Sequence, residues 1–240
     1  MKKYLFLVFL VLLVVVSGCT KQDQSTQDPK QLLKDSIIKS TTTNYRVDYD
    51  FSFEIGAQDQ SGEQNIKTIG MISQYKKDKK IKMVTSVSKV ISSGQNATPL
   101  EEGSETSVYI IPEGIYQCNK IQQTVNCTKA DSSQSDKIAA LLDPAESLKA
   151  IDDAVASGQV SLKLKEEKTI ANRKCNNFEI LPLNRPDAKP TITCLDKETG
   201  VMLSNSIEIN LGSVISKTNM VAKNVVLTVD DSEFVVPKTS

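Results

Sequence analysis

The chain has 240 residues, with 29 Lys and Arg balanced by 29 Asp and Glu, and contains neither histidine nor tryptophan. Without histidine, the commonest general base and the commonest metal ligand are both missing. The one locally basic cluster, Lys76-Lys77-Asp78-Lys79-Lys80, reads as a solvated turn between strands, so no nucleic-acid partner is expected.

The N-terminus reads as an address. Lys2-Lys3 precedes an unbroken apolar run from Tyr4 to Val16, and Ser17-Gly18-Cys19 follows. A basic start, an apolar stretch of about thirteen residues, small residues and a cysteine make a secretion signal ending in a lipobox. The run is too short to span roughly 30 Å of hydrocarbon, which takes about twenty residues. Residues 1–18 are therefore expected to be a lipoprotein signal peptide, with Cys19 as the new N-terminus carrying lipid on its thiol. The first partner is then the membrane, reached through this anchor, at the cell surface or in the periplasm. Residues 19–28 form the lipidated end and a polar tether. Residues 29–240 are long enough for one domain with a real core.

The domain opens with a helix, with Asp28 as N-cap, Pro29 at the first position and Leu32, Leu33 and Ile37 on one face. From Tyr45 to Ile55 the alternation is strict: Tyr45, Val47, Tyr49, Phe51, Phe53 and Ile55 against Arg46, Asp48, Asp50, Ser52 and Glu54. Period two over this length predicts a long strand with one dry face. Strands are also expected at Lys67–Tyr75, with Ile69, Met71 and Tyr75 alternating, and at Lys80–Val90, with Ile81, Met83 and Val87. A polar loop, Ser92–Glu105, leads to a hairpin of Ser107–Ile111 and Ile115–Cys118, with a return strand near Thr124–Thr128. After a polar linker, Lys137–Leu142 and Ala145–Ser157 read as helical pieces split by Pro144, with Asp143 as the second N-cap. The remaining strands are expected around Val160–Leu164, Phe178–Ile180, Ile192–Leu195, Val201–Leu211 and Val221–Val229.

Apart from Cys19 there are four cysteines, which allow three pairings. Outside the cytoplasm an even set reads as disulfides. Cys118–Cys127 and Cys175–Cys194 are the expected pairs, because each can bridge a local hairpin. Free thiols and a four-thiolate zinc site are the alternatives, and neither pair has the tight CxxC spacing of structural zinc sites. Asn96-Ala97-Thr98 and Asn126-Cys127-Thr128 are sequons that would accept glycans in a host with the machinery.

No catalytic motif is present: there is no GxSxG, HExxH or Walker A, and nothing points to a serine–lysine dyad. Neither catalysis nor a cofactor is expected. Asp152-Asp153 and Glu166-Glu167 read as solvated faces.

About eleven strands in runs, with the helices set apart, predict an α+β fold. At about 4.8 Å per strand the sheet would be roughly 50 Å wide, while a helix is only about 10 Å across. The antiparallel sheet is therefore expected to curve strongly around two or three short helices and to leave apolar wall uncovered. Tyr45, Val47, Tyr49, Phe51, Phe53 and Ile55, with Met71 and Met83, are the candidate wall. Ordinary core packing is the plainer reading of such a stripe.

Several stretches resemble the lipoprotein-carrier fold of LolA and LolB, shared by LppX, LprG and the N-terminal domain of RseB. They are Asp35-Ser36-Ile37-Ile38-Lys39-Ser40 running into Tyr45–Ile55, the break at Pro144, the turn Asp196-Lys197-Glu198-Thr199-Gly200, and the closing run Asp231-Ser232-Glu233-Phe234-Val235-Val236-Pro237. The resemblance implies an unclosed β-barrel around helices and a cavity for acyl chains or lipoprotein anchors. The expected function is non-catalytic binding of a lipid or other hydrophobic ligand, as carrier or sensor. The alternative is a surface module with a solid core, recruiting a protein partner by a sheet edge or the Ser92–Glu105 loop.

Overall fold

The computed structural model describes residues 28–59, 62–93, 103–131, 143–185, 187–211 and 214–238. The expected signal peptide, Cys19, Asn96 and the helical piece Lys137–Leu142 lie outside the described residues. Among the described residues no helix is long and apolar enough to cross a membrane.

Helix α1 (Pro29–Thr42) is followed by β1 (Tyr45–Asp59), β2 (Gly62–Lys77), β3 (Lys80–Ser93), β4 (Glu105–Ile111), β5 (Gly114–Ile121) and β6 (Thr124–Lys129). Helix α2 (Pro144–Ala156) leads to β7 (Val160–Leu164), β8 (Lys168–Ile170), β9 (Arg173–Pro182), β10 (Thr191–Asp196), β11 (Met202–Leu211) and β12 (Val214–Val226). A 3-10 turn, Asp231–Phe234, comes last. All twelve strands join one antiparallel sheet in the order β6-β5-β4-β3-β2-β1-β12-β11-β10-β9-β7, with β8 also paired to β9. Two runs of neighbouring strands thus meet where the first and last strands pair, and β6 and β7 are the outermost strands among the described residues. The sheet is an unclosed barrel with helices on one face, as the layer argument requires.

The expected bounds of one strand need correction. The last strand starts at Val214 rather than Val221 and ends at Val226. Its first half, Ile215-Ser216-Lys217-Thr218-Asn219, carries few apolar residues and becomes a strand because it pairs with β1 on one side and β11 on the other. The Asp152 and Glu167 carboxylates lie at the surface, as expected, and carry ion pairs there. Asp152 takes ion pairs from Lys30 at 2.7 Å and Lys34 at 2.6 Å, joining the two helices, and Glu167 pairs with Lys174 and Lys197.

Both helices start as the sequence dictates. The Asp28 carboxylate accepts from Lys30 N and that of Asp143 from Ala145 N, each at 2.9 Å, with proline next in the chain. Leu33 and Ile37 are buried on the sheet side of α1. At its other end, the Lys76 ammonium donates to Thr41 O at 2.8 Å and Thr43 O at 3.1 Å, satisfying carbonyls that the helix leaves open.

Gly70 sits where β2 and β3 slip register, opposite Phe51 on β1. A Cβ there would stand 2.1 Å from Ser86 O and 3.1 Å from Phe51 Cε1. At Gly56 a Cβ would meet only the tip of the Asn65 side chain. Gly70→Ala is expected to lower stability by about 1–3 kcal/mol, and Gly56→Ala by less than about 1 kcal/mol, in denaturant titrations.

Candidate functional site

Cross-strand registers decide which side chains share the helix-covered inner face. Tyr49 lies opposite Ile72 and Ala222, Phe51 opposite Gly70 and Met220, Phe53 opposite Thr68 and Thr218, and Ile55 opposite Ile66 and Ser216. Along β1 this face changes character. Tyr45, Val47 and Tyr49 are 2%, 0% and 0% exposed, in a core with Leu33, Ile72, Met83, Phe178, Leu195 and Leu203. Tyr49 donates its hydroxyl to Met202 O at 2.8 Å, satisfying its buried polar end. Burial pushes the Tyr45 hydroxyl up to about 12. Phe51 packs at the margin of this core and is only half-buried. Phe53 and Ile55, further along, are also half-buried and stand outside the cluster.

The helices are too short to cover this far section. At 1.5 Å per residue α1 is about 21 Å long, whereas β1, at roughly 3.3 Å per residue, runs for about 50 Å. The inner face therefore passes from solid core to partly open apolar wall within one strand.

The candidate wall residues divide accordingly. Tyr45, Val47, Tyr49 and Met83 are packed core, while Phe51, Phe53 and Ile55 form the partly open wall. Met71 lies on the other face: it pairs with Asp50 and is 46% exposed. Its place on the inner face is taken by Ile72, opposite Tyr49. The signal was present in the tight β1–β2 turn, since pairing Asp59 with Gly62 fixes Tyr49 against Ile72.

The outer face carries a feature that period-two reading did not foresee. Tyr75 and Tyr109 point outward, yet are only 8% and 4% exposed. The segment after β12 crosses over them. Asp231 pairs with Lys77 at 2.5 Å and Lys80 at 2.6 Å, Glu233 pairs with Lys82 at 2.9 Å, and Phe234 is buried beside Lys80. Lys77 and Lys80 hold the Asp231 carboxyl down to about 2, from an ordinary 3.8.

Both disulfides are present. Cys118 and Cys127 are directly opposite on β5 and β6, with Cα atoms 4.0 Å apart. Cys175 and Cys194 bridge β9 and β10 diagonally, with Cα atoms 5.5 Å apart, and neither is exposed. Asn126 is exposed on β6, beside Cys127 and opposite Asn119. Among the described residues no cluster of three or more acidic or thiol side chains converges as a metal site would require.

No protein-family model and no curated protein matches the chain. Among solved structures it is similar to MucB of Pseudomonas aeruginosa in complex with MucA, at 10% identity over 88% of this chain and 62% of that one, with a TM-score of 0.46. An uncharacterized conserved protein from Thermus thermophilus is similar at 12% identity, over 88% of this chain and 96% of that one, with a TM-score of 0.42. A putative outer membrane lipoprotein-sorting protein domain from Vibrio parahaemolyticus matches at 8% identity, over 78% and 89%, with a TM-score of 0.28. The chain spans less than two thirds of the MucB chains it matches. No residue role is carried across at these identities.

Two outcomes follow from this geometry. Under mild reductant Cys118–Cys127, on a sheet edge with Cys127 half-buried, should open on the order of tenfold or more faster than Cys175–Cys194, as read by differential alkylation and mass spectrometry. A carboxyl depressed in the fold contributes stability above its ordinary pKa and loses it as pH falls through the folded one. The C-terminal segment should therefore hold above about pH 4 and loosen toward pH 2, with the Phe234 amide resonance moving before the core resonances.

Proposed function

We propose that this chain is a non-catalytic, extracytoplasmic lipoprotein, anchored through Cys19, that holds a lipid or other hydrophobic ligand against the inner face of its open half-barrel. The observation that carries this reading is the wall at Phe51, Phe53 and Ile55, which continues the core stripe of β1 past the cover of the helices. Two disulfides suit an oxidising compartment, and the N-terminal sequence supplies both export and anchor.

Mechanism follows from burial. An acyl chain moved from water onto such a wall gains roughly 0.8 kcal/mol per methylene. Relative to the bilayer it gains little, because lipid tails are equally apolar. Pick-up and release are then nearly balanced and need no energy source, which suits a carrier or a sensor. Phe53 faces Thr68 on one neighbouring strand and Thr218 on the other, so the wall is an apolar track with short polar flanks.

Native mass spectrometry of the protein purified from membranes, followed by lipid extraction, tests this. A bound hydrophobic mass is expected, and it should be lost in Phe53→Glu while both disulfides and the circular dichroism spectrum persist. A clean ligand-free mass that does not shift after incubation with mixed lipid vesicles would overturn it and favour a surface interaction module.

A further inference from the structure

Six side chains form one continuous row across the outer face. Arg46 on β1 is opposite Tyr75 on β2, Tyr75 opposite Lys82 on β3, and Lys82 opposite Tyr109 on β4. The row goes on through Tyr116 on β5 to Lys129 on β6. Cations and rings interact along it: Arg46 lies 5.2 Å and Lys82 4.8 Å from the Tyr75 ring, Lys82 5.6 Å from Tyr109, and Lys129 5.4 Å from Tyr116. Cations over aromatic faces in this range attract, and a surface that alternates them suits a ligand with both carboxylates and apolar side chains.

The C-terminal segment already has that chemistry. Its Asp231 and Glu233 carboxylates sit on Lys77, Lys80 and Lys82, and Phe234 is its single buried ring. It makes no strand pairing, and the Asp231 side chain remains 60% exposed. It also covers only part of the row. Past Phe234 a cleft of about 400 Å³ stays open between Val235 and Val236 on one side and Ile111, Glu113 and Tyr116 on the other. Val235 is 68% exposed at its edge. Among the described residues Lys129 makes no ion pair; its stem lies over Gly114 and its ammonium beside the Tyr116 ring.

We propose that this basic–aromatic row is a docking surface for an acidic, phenylalanine-bearing peptide segment of a partner protein, and that the chain's own C-terminal segment occupies part of it in cis. The spacing specifies the partner further. Lys82 on β3 and Lys129 on β6 are three strands apart, about 14 Å at the usual strand spacing, and an extended peptide covers that in about four residues. The preferred segment has carboxylates four apart with apolar residues between them, filling the cleft that the cis segment leaves open. The cis segment has Glu233 for Lys82 but Pro237 where the second carboxylate would stand. A partner carrying both acids therefore has an advantage over it.

The probe is a fluorescein-labelled peptide of residues 230–238 carrying Pro237→Glu, titrated against the full chain by anisotropy. It should bind the Phe234→Ser chain, whose own segment is loosened, at least about tenfold more tightly than the unaltered chain, and weaken steeply with salt. Asp231→Lys loosens the segment at an exposed position and should act in the same direction, which covers a folding failure of Phe234→Ser. Lys129→Glu in either background should remove most of the gain from the second acid, leaving the peptide with the native Pro237 little changed. Equal binding to loosened and unaltered chains, or no binding to either loosened chain while its segment is shown released by hydrogen exchange, would overturn the proposal. So would Lys129-dependent binding to phosphatidylglycerol vesicles with none to the peptide, which would make the row a membrane-facing patch.

Discussion

The pairing of the first strand with the last holds this architecture together. β1 lies between β2 and β12, with a neighbour on each side for most of its length. On one side of it is the run β2 to β6, and on the other β12 back to β7. Neither disulfide crosses this seam: one lies between β5 and β6, the other between β9 and β10. The seam is therefore held by ladder hydrogen bonds and by packing such as Tyr49 against Ala222 and Phe51 against Met220. The Tyr49 hydroxyl reaches one strand further, to the Met202 carbonyl at the start of β11. Such a seam joins segments far apart in sequence, whose loop-closure entropy is lost before their contacts form. The strongest apolar alternation in the chain falls on β1, where that cost is greatest.

The seam also sets the two faces. Inside, the stripe of β1 gives the core its largest fully buried side chain, Tyr49, and then continues beyond the helices as half-buried wall. Outside, the registers that carry the inner stripe also align Arg46, Tyr75, Lys82, Tyr109, Tyr116 and Lys129. Both features depend on one set of registers, because a slip of one residue would exchange the faces. Met71 illustrates the point. It is apolar, lies in a long strand and is exposed, because Ile72 holds the position opposite Tyr49.

Much of this was legible in the sequence because the deciding signals are local. The β1 alternation, the Asp-Pro starts of both helices and the two cysteine pairs each lie within a short window, and each has its expected form in the structure. What could not be read depends on residues brought together from afar. Ile215–Asn219 has weak strand chemistry and takes its form from two neighbouring strands. Tyr75 and Tyr109 look like core residues in sequence and are buried, but by a segment more than a hundred residues further along the chain. That some wall would stay uncovered was legible from the width of the sheet, but not where, since Phe53 and Ile55 continue the alternation of Val47 and Tyr49 unchanged. Only the helix lengths and positions determine where the core stops.

Those positions are fixed by lysines. At one end of α1, Lys76 is largely buried and gives its ammonium to the Thr41 and Thr43 carbonyls, while Lys39 reaches the Lys197 carbonyl in the turn before β11. Burial lowers the Lys76 pKa, yet the carbonyls at the helix end compensate the charge they receive. Toward the other end, Lys30 and Lys34 share the Asp152 carboxylate of α2. The turn that receives Lys39 is itself held by buried Asp196, which accepts from Glu198 N at 2.7 Å and Thr199 N at 3.2 Å and pairs with Arg173. Sliding α1 along the sheet toward Phe53 would strand the Lys76 ammonium away from its carbonyls in a site already poor in water, and desolvated charges are costly to leave unpaired. The helix pair is thus clamped over Tyr45, Val47 and Tyr49, and the partial exposure of Phe53 and Ile55 follows from where those clamps stand.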